Sequence, residues 1–299
     1  MKVPLRDSAA AAERAARPGG PFGGGPPVAR RVLPGFGLSL GLTLAGLASV
    51  VLIPLAALAL QAAELGLRGM VDTLAQPRVL AALRLSFGLA LAAALVNAVA
   101  GTATAWVLVR YRLPAHRLFD ALVDLPFALP TAVAGIALTA LYAPSGWLGA
   151  PLQALGLKVA YTPVGIFVAL VFIGLPFVVR TVQPVLQDLD RAWEEAAATL
   201  GASRGYTLRA VVLPALAPAI LTGFVLAFAR AVGEYGSVIF IAGNLPLVSE
   251  IAPLLIVVKL EQYDYAGAAA IGLAMLLVSL VVIVTVNGAQ RWRRQRGGA

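Results

Sequence analysis

Two opposite charges stand four residues apart in an apolar stretch: Arg230 and Glu234, within Phe-Ala-Arg-Ala-Val-Gly-Glu-Tyr-Gly-Ser (228–237). That spacing places both on one helix face. At the centre of a bilayer each would cost about 2.5–3.5 kcal/mol on insertion scales, so both must face protein or water. The pair therefore reads either as an ion pair that fixes packing or as a polar site inside the membrane. Gly233 and Gly236 flank it and would let helices approach closely. A second pair, Asp120 and Asp124, is also one turn apart and fits a solvated helix N-terminus, where acidic groups are favoured. Pro126, Pro130 and Thr131 follow. Prolines here free backbone carbonyls, which is tolerated where a cavity is lined, so 126–135 is either a gate or a simple kink. Asn97 and Thr102 read as polar glue between helices. Nucleophilic and metal chemistry find no support. The chain has no cysteine, its single histidine is His116, placed in a connecting loop, and Ser237 has no histidine base near it. Asp120 and Asp124 share one helix near the surface, unlike the paired deep groups of an intramembrane protease.

The other chemically dense segment is a polar island, Glu-Ala-Ala-Ala-Thr-Leu-Gly-Ala-Ser-Arg-Gly-Tyr-Thr-Leu-Arg-Ala-Val-Val-Leu-Pro (195–214). Asp188–Arg209 is rich in helix formers. Gly201 breaks it, and 206–212 can begin a second short helix before Leu213 and Pro214. The expectation is a helix–turn–helix lying along the membrane surface. Small Ala196 and Ala197 side chains allow close approach to a groove on a partner. Glu195 can hold a basic group or a backbone N-terminus there. The plain alternative is an amphipathic loop that only joins two helices.

These segments sit in a chain of 299 residues that is 60% hydrophobic and 12% charged, with a mean hydropathy of +0.88. A soluble domain carries about 25% charged residues. Lipid must solvate much of this apolar surface. Six stretches are long enough to cross a bilayer: about 36–62, 84–109, 119–142, 161–186, 214–241 and 267–289. The shorter run 251–260 reads as an interfacial or re-entrant element on the outer face. The net charge of +9 does not signal nucleic acid, because the basic residues are spread over loops and ends. With the N-terminus inside, only Arg68, Arg78, Arg84, Lys158 and Lys259 of the 23 Lys and Arg fall outside and Arg230 falls within the membrane. The remainder, Arg180 included, are cytoplasmic, as the positive-inside rule requires. Trp292 and the arginines beside it suit an inner-interface anchor. The expected organisation is a disordered, Pro- and Gly-rich cytoplasmic tail over 1–32, a membrane domain over 33–290 whose cytoplasmic loop spans about 187–213, and a basic cytoplasmic tail over 291–299.

The pattern E-A-A, three residues, G, nine residues, V, one residue, L-P is carried by Glu195, Ala196, Ala197, Gly201, Val211, Leu213 and Pro214. It resembles the coupling loop of bacterial ABC importer permeases, with Val211 where that family usually has isoleucine. The stretches 33–41, 124–135, 228–246 and 249–268 extend the resemblance from about Arg31 to Asn287. They resemble in particular the T subunit of sulfate/thiosulfate importers. The resemblance implies an all-α membrane protein with six transmembrane helices in the type I importer-permease fold. It implies a bacterial inner-membrane location and a path for sulfate or thiosulfate, with molybdate or tungstate as the alternative. The implied partners are a homologous W permease, two copies of a cytosolic ATPase and a periplasmic sulfate- or thiosulfate-binding protein. No cofactor is expected on this chain. It has no G-x-x-x-x-G-K-[ST] loop, so Mg-ATP would be used by the ATPase. On this resemblance Arg230 would offer positive potential to a dianion, and Glu234 would keep the site from holding it too tightly. Pro126, Pro130, Thr131, Gly233 and Gly236 would complete the path or gate.

Overall fold

The computed structural model describes residues 36–112 and 114–297. The expectations for the tail over 1–32, for the last residues of the basic tail and for the Trp292 side chain lie outside what is described. The chain divides into two units, Met1–Pro54 and Leu55–Ala299. The described part of the first is helical. It begins α1 (Phe36–Ala63), an apolar helix with Pro54 inside it.

In the second unit α2 (Gly66–Leu74) leads to the 34-residue α3 (Pro77–Arg110). After it come α4 (His116–Ala128), α5 (Thr131–Tyr142), α6 (Gly149–Ala154) and α7 (Pro163–Asp188). A short pair follows, α8 (Ala192–Thr199) and α9 (Arg204–Thr207), then a π-helical turn, Leu208–Val212, that runs into α10 (Leu213–Val232). The chain closes with α11 (Val238–Ile241), α12 (Ala252–Glu261) and α13 (Tyr265–Gly297). Five helical stretches are long and apolar enough to span a membrane, and α4 with α5 makes a sixth if the bent pair counts as one.

The core is the packing of α3, α7 and α10 on one another. On α3 the buried positions Val79, Ala82, Ser86, Ala90, Ala93, Asn97, Gly101, Ala105 and Leu108 recur every three or four residues, which is one helix face. Glycines let that face come close. A Cβ at Gly101 would lie 2.7 Å from Val178 Cβ, and one at Gly223 would lie 2.8 Å from Val178 Cα. Gly174 leaves room for the Asn97 amide. Between helices in lipid the association comes from this kind of contact, because lipid tails are as apolar as leucine.

Several sequence expectations need correction. The stretch 119–142 is not one straight span: the chain bends by 111° between α4 and α5, across Leu129 and Pro130. Pro130 lacks an N–H and forces Leu129 out of the helical region, to φ −84° and ψ 134°. The second span begins at Pro77, not near residue 84, because the Arg78 charge is met within the protein. Its Nε and Nη2 donate to both oxygens of the buried Glu250 carboxylate at 2.7 and 2.6 Å. The fifth span ends at Val232, short of residue 241, where Gly233 caps it. Thr102 is not glue, since its hydroxyl bonds Ala98 O of its own helix at 2.6 Å. Asn97 does sit at the helix interface, fully buried, although neither amide atom finds a partner among the described residues. His116 opens α4 rather than lying in a loop, with Nε2 2.8 Å from Leu108 O.

The run 251–260 forms α12, whose Ala252, Leu254 and Leu255 are buried against α3 and α13. Ser86 on α3 caps it by accepting from Ala252 N at 2.8 Å. Asp264 then starts α13, accepting from Gly267 N at 2.9 Å and from Lys259 Nζ at 2.6 Å. Lys259 first, and that backbone N–H second, hold the Asp264 carboxyl below its usual value.

Gly101→Val should destabilise the protein by about 1–3 kcal/mol through overpacking against Val178. Gly88→Val on the same helix, where a Cβ meets nothing within 4 Å, should be neutral. The folded fraction after heating in detergent, followed by size exclusion, separates the two; equal behaviour would remove the close-approach account.

Candidate functional site

The polar island folds as a helix–turn–helix, and its turn has a specific cause. At the end of α8, Gly201 N donates to Ala198 O and Ala202 N to Ala197 O, both at 3.0 Å. Gly201 takes φ +83°. These two bonds around a left-handed residue make a Schellman motif, which glycine adopts without steric cost. Asp190 caps the other end of α8 by accepting from Ala192 N at 2.9 Å. Ser203 Oγ does the same for α9, accepting from Tyr206 N at 3.3 Å. Leu213 N then reaches back five residues to Leu208 O, so the chain enters α10 through a π turn. Pro214 lacks the N–H that an α turn would direct at Ala210 O, and the wider turn gives that carbonyl room.

Glu195 and Ala196 lie exposed on α8, with Ala197 half-buried beside them. Val211 is half-buried in the π turn, and Leu213 and Pro214 open α10. The neighbouring Glu194 does something else: its Oε1 accepts from Arg110 Nη2 at 2.7 Å. Sequence reasoning missed Arg110, and it also missed the exposed apolar side chains Trp193, Leu200 and Tyr206 on this loop. Large apolar residues in or just before a polar island were the available signal for those three. An open groove of about 830 Å³ leads away from the loop, lined by Trp106, Val107, Tyr111, Leu208, Leu213 and Ile220.

The second cluster lies around Arg230. Glu234 is not on the same helix as Arg230, as the spacing suggested, but in the turn beyond the end of α10. The two still form an ion pair. Glu234 is 2% exposed, and its other oxygen accepts from Ser237 N and Ser237 Oγ at 2.9 and 3.0 Å. The carboxylate is thus fully engaged, and the half-buried Arg230 is the member that reaches the surface. The 233–237 turn packs on the start of α5. Gly236 fits against Thr131, and a Cβ at Gly135 would meet Ser237 Cα at 2.7 Å. A Cβ at Gly233 would meet nothing within 4 Å, so this glycine ends a helix and does not permit a close approach. Pro130 and Thr131 therefore join the Arg230 cluster through Gly236, while Pro126 lies a turn earlier, inside α4.

Asp120 and Asp124 are not a merely solvated helix end. Arg180, toward the C-terminal end of α7, bridges to both. Its Nε and Nη2 take Asp124 Oδ1 and Oδ2 at 2.7 and 2.6 Å, and its Nη1 takes Asp120 Oδ1 at 2.7 Å. The planar fork matches two carboxylates on one helix face and ties the first half of the bent span to α7.

The model of the binding-protein-dependent transport system inner membrane component family matches residues 97–296. This chain belongs to that family. It is 47% identical over 261 residues to the sulfate transport system permease protein CysT of Salmonella typhimurium, covering 87% of this chain and 94% of that protein. It is 49% identical over 249 residues to the CysT protein of Synechococcus elongatus, covering 83% and 90%. Among solved structures, a bacterial ABC transporter involved in the import of the acidic polysaccharide alginate aligns with a TM-score of 0.69 at 17% identity, over 86% of this chain and 96% of that one. The fold is that of a type I ABC importer permease, all-helical in the described residues, and the protein is a multi-pass membrane permease subunit.

Arg180→Gln should cost on the order of 1–2 kcal/mol, since these groups are partly exposed and removal strands two like charges together. Adding Asp120→Asn and Asp124→Asn should recover most of that loss in a detergent thermal-stability assay. A triple variant as unstable as the single one would mean that the charges do not compensate each other.

Proposed function

We propose that this chain is the membrane-spanning subunit of an ATP-driven importer for sulfate or thiosulfate and couples to a separate ATPase through the 195–214 loop. The observation that carries this reading is the α8–α9 element: a Schellman-capped helix presenting Glu195 and Ala196 outward between two apolar spans. The identity to CysT proteins supports the substrate class. In this reading both termini and the 187–213 loop are cytoplasmic, which fits the bias of Lys and Arg. The membrane core pairs this chain with a homologous W permease. Two copies of a cytosolic ATPase bind Mg-ATP and take the coupling loops into surface grooves. A periplasmic binding protein delivers the anion.

The loop suits that task because its helix ends are closed by hydrogen bonds and its turn by a left-handed glycine. Such an element moves as a body when the ATPase closes, and the permease alternates between inward- and outward-facing states. At the Arg230 cluster the division of labour follows from exposure. Glu234 is engaged by Arg230 and Ser237 and stays in the protein, holding the guanidinium in place. Arg230 offers the positive charge to a passing dianion. Pro126, Pro130, Thr131, Gly233 and Gly236 shape the bent half-span and the turn that flank it.

Uptake of labelled sulfate and labelled molybdate in a strain deleted for this chain tests the proposal. Sulfate uptake should be lost, restored by the wild-type chain, and not restored by a Glu195→Ala, Gly201→Pro double variant that still inserts. Loss of molybdate uptake with sulfate uptake intact would move the substrate to the other oxyanion, and full uptake by the double variant would remove the docking role. For the path, Arg230→Gln with Glu234→Gln should assemble normally yet transport at least about tenfold more slowly, the equivalent of 1.4 kcal/mol. Normal transport would leave the pair a packing device only.

A further inference from the structure

The coupling helix needs something to hold its orientation. α8 is eight residues long, and none of them is buried. A helix of this length is marginal on its own, and it packs chiefly against α9 and the π turn of its own loop. One side chain from a distant part of the fold ties it to the spans. Arg110, the last residue of α3, is 10% exposed, and its Nη2 donates to Glu194 Oε1 at 2.7 Å and to Leu189 O at 3.2 Å. Leu189 is the C-cap residue of α7. The guanidinium also lies over the Trp106 ring, 5.8 Å from its centroid. One charge thus joins the ends of two spans to the coupling helix.

We propose that Arg110 is a positioning residue for energy coupling: through Glu194 it sets the roll of α8 and passes the movement of that helix into α3. This rests on the coupling role given above to the 195–214 loop. Successive residues on an α-helix point about 100° apart. Fastening Glu194 to the membrane core therefore turns Glu195, the next residue, away from it and toward the cytosolic partner. The load is received by α3, which packs along α7 and α10 for much of its length of about 50 Å. Arginine suits the position because its guanidinium lies over an indole while one of its nitrogens, Nη2, serves both acceptors. A positive group also complements the C-terminal end of the α3 dipole.

The test uses the whole transporter, with both permeases, the ATPase and the binding protein reconstituted in vesicles, and labelled sulfate as the probe. ATP hydrolysed and anion imported are read together. Glu194→Gln and Arg110→Gln should each lower uptake by roughly fivefold or more, the lower end of common site-to-site coupling. ATPase co-purification and ATP hydrolysis should persist, so the ATP used per anion rises. The double variant should be no worse than the more severe single one. If Arg110→Gln fails to insert, Glu194→Gln decides the matter, because its position on an unburied helix leaves insertion intact. An unchanged ratio of ATP to anion in Glu194→Gln would overturn the proposal, and so would a loss of uptake that only tracks lost ATPase. The docking role fails differently: a Glu195→Ala, Gly201→Pro chain would then keep its full ATPase complement and uptake.

Discussion

The close approach of α3, α7 and α10 is the constraint on which the other features depend. Lipid gives helices no hydrophobic reason to associate, so contact must come from shape. Gly101 on α3 and Gly223 on α10 supply that shape by fitting against Val178 and Thr181 of α7, and Gly174 of α7 by fitting against Asn97 of α3. Each functional segment is a continuation of one of these three helices. α7 runs into the α8–α9 loop, α10 leaves it and ends at the Arg230 cluster, and α3 supplies Arg110 at one end and Arg78 at the other.

Charges are scarce in this chain, and the fold uses them to join segments far apart in sequence. Arg78 holds Glu250, Arg110 holds Glu194, and Arg180 holds Asp120 and Asp124. Each pairs an arginine on α3 or α7 with a carboxylate on a shorter element outside the three-helix core. The physical reason is the cost of an unmatched charge in an apolar setting, which makes breaking such a pair far worse than never having had it. Arginine is used in all three. Its fork can satisfy several acceptors at once, as the Arg180 cluster does with two carboxylates, a backbone carbonyl and the Gln183 amide oxygen.

Much of this is legible in the sequence, and the rest is not for identifiable reasons. Long apolar runs announce spans because hydrocarbon thickness sets their length. The turn at Gly201 is legible because a left-handed position has a strong residue preference. The break at Leu129–Pro130 is half legible: the prolines signal an interruption, but apolar length alone draws one span through 119–142 where the chain bends by 111°. Glu234 is misplaced by its spacing because four residues speak of a helix only if the helix continues, and Gly233 ends it. Arg110 and Glu194 are 84 residues apart, and Arg78 and Glu250 are 172 apart. No local pattern reports such partners, which are set by how three helices pack.

These long-range ion pairs also fasten the two ends of α3. α3 is a continuous helix with no internal proline or π turn, and it is fixed at both ends by ion pairs to non-spanning segments. At one end Arg110 grips Glu194 of α8. At the other, Arg78 grips Glu250 in the turn before α12, and Ser86 caps α12 itself. Helices kink at prolines, π turns and inserted side chains, and such features occur in α4, α7 and at the entry to α10 but not in α3. Bending is therefore easier in α7 and at the entry to α10 than in α3. The uninterrupted helix thus ties the Glu194 end of the fold to the Glu250 end, and the interrupted helices around it are the places where the packing can give.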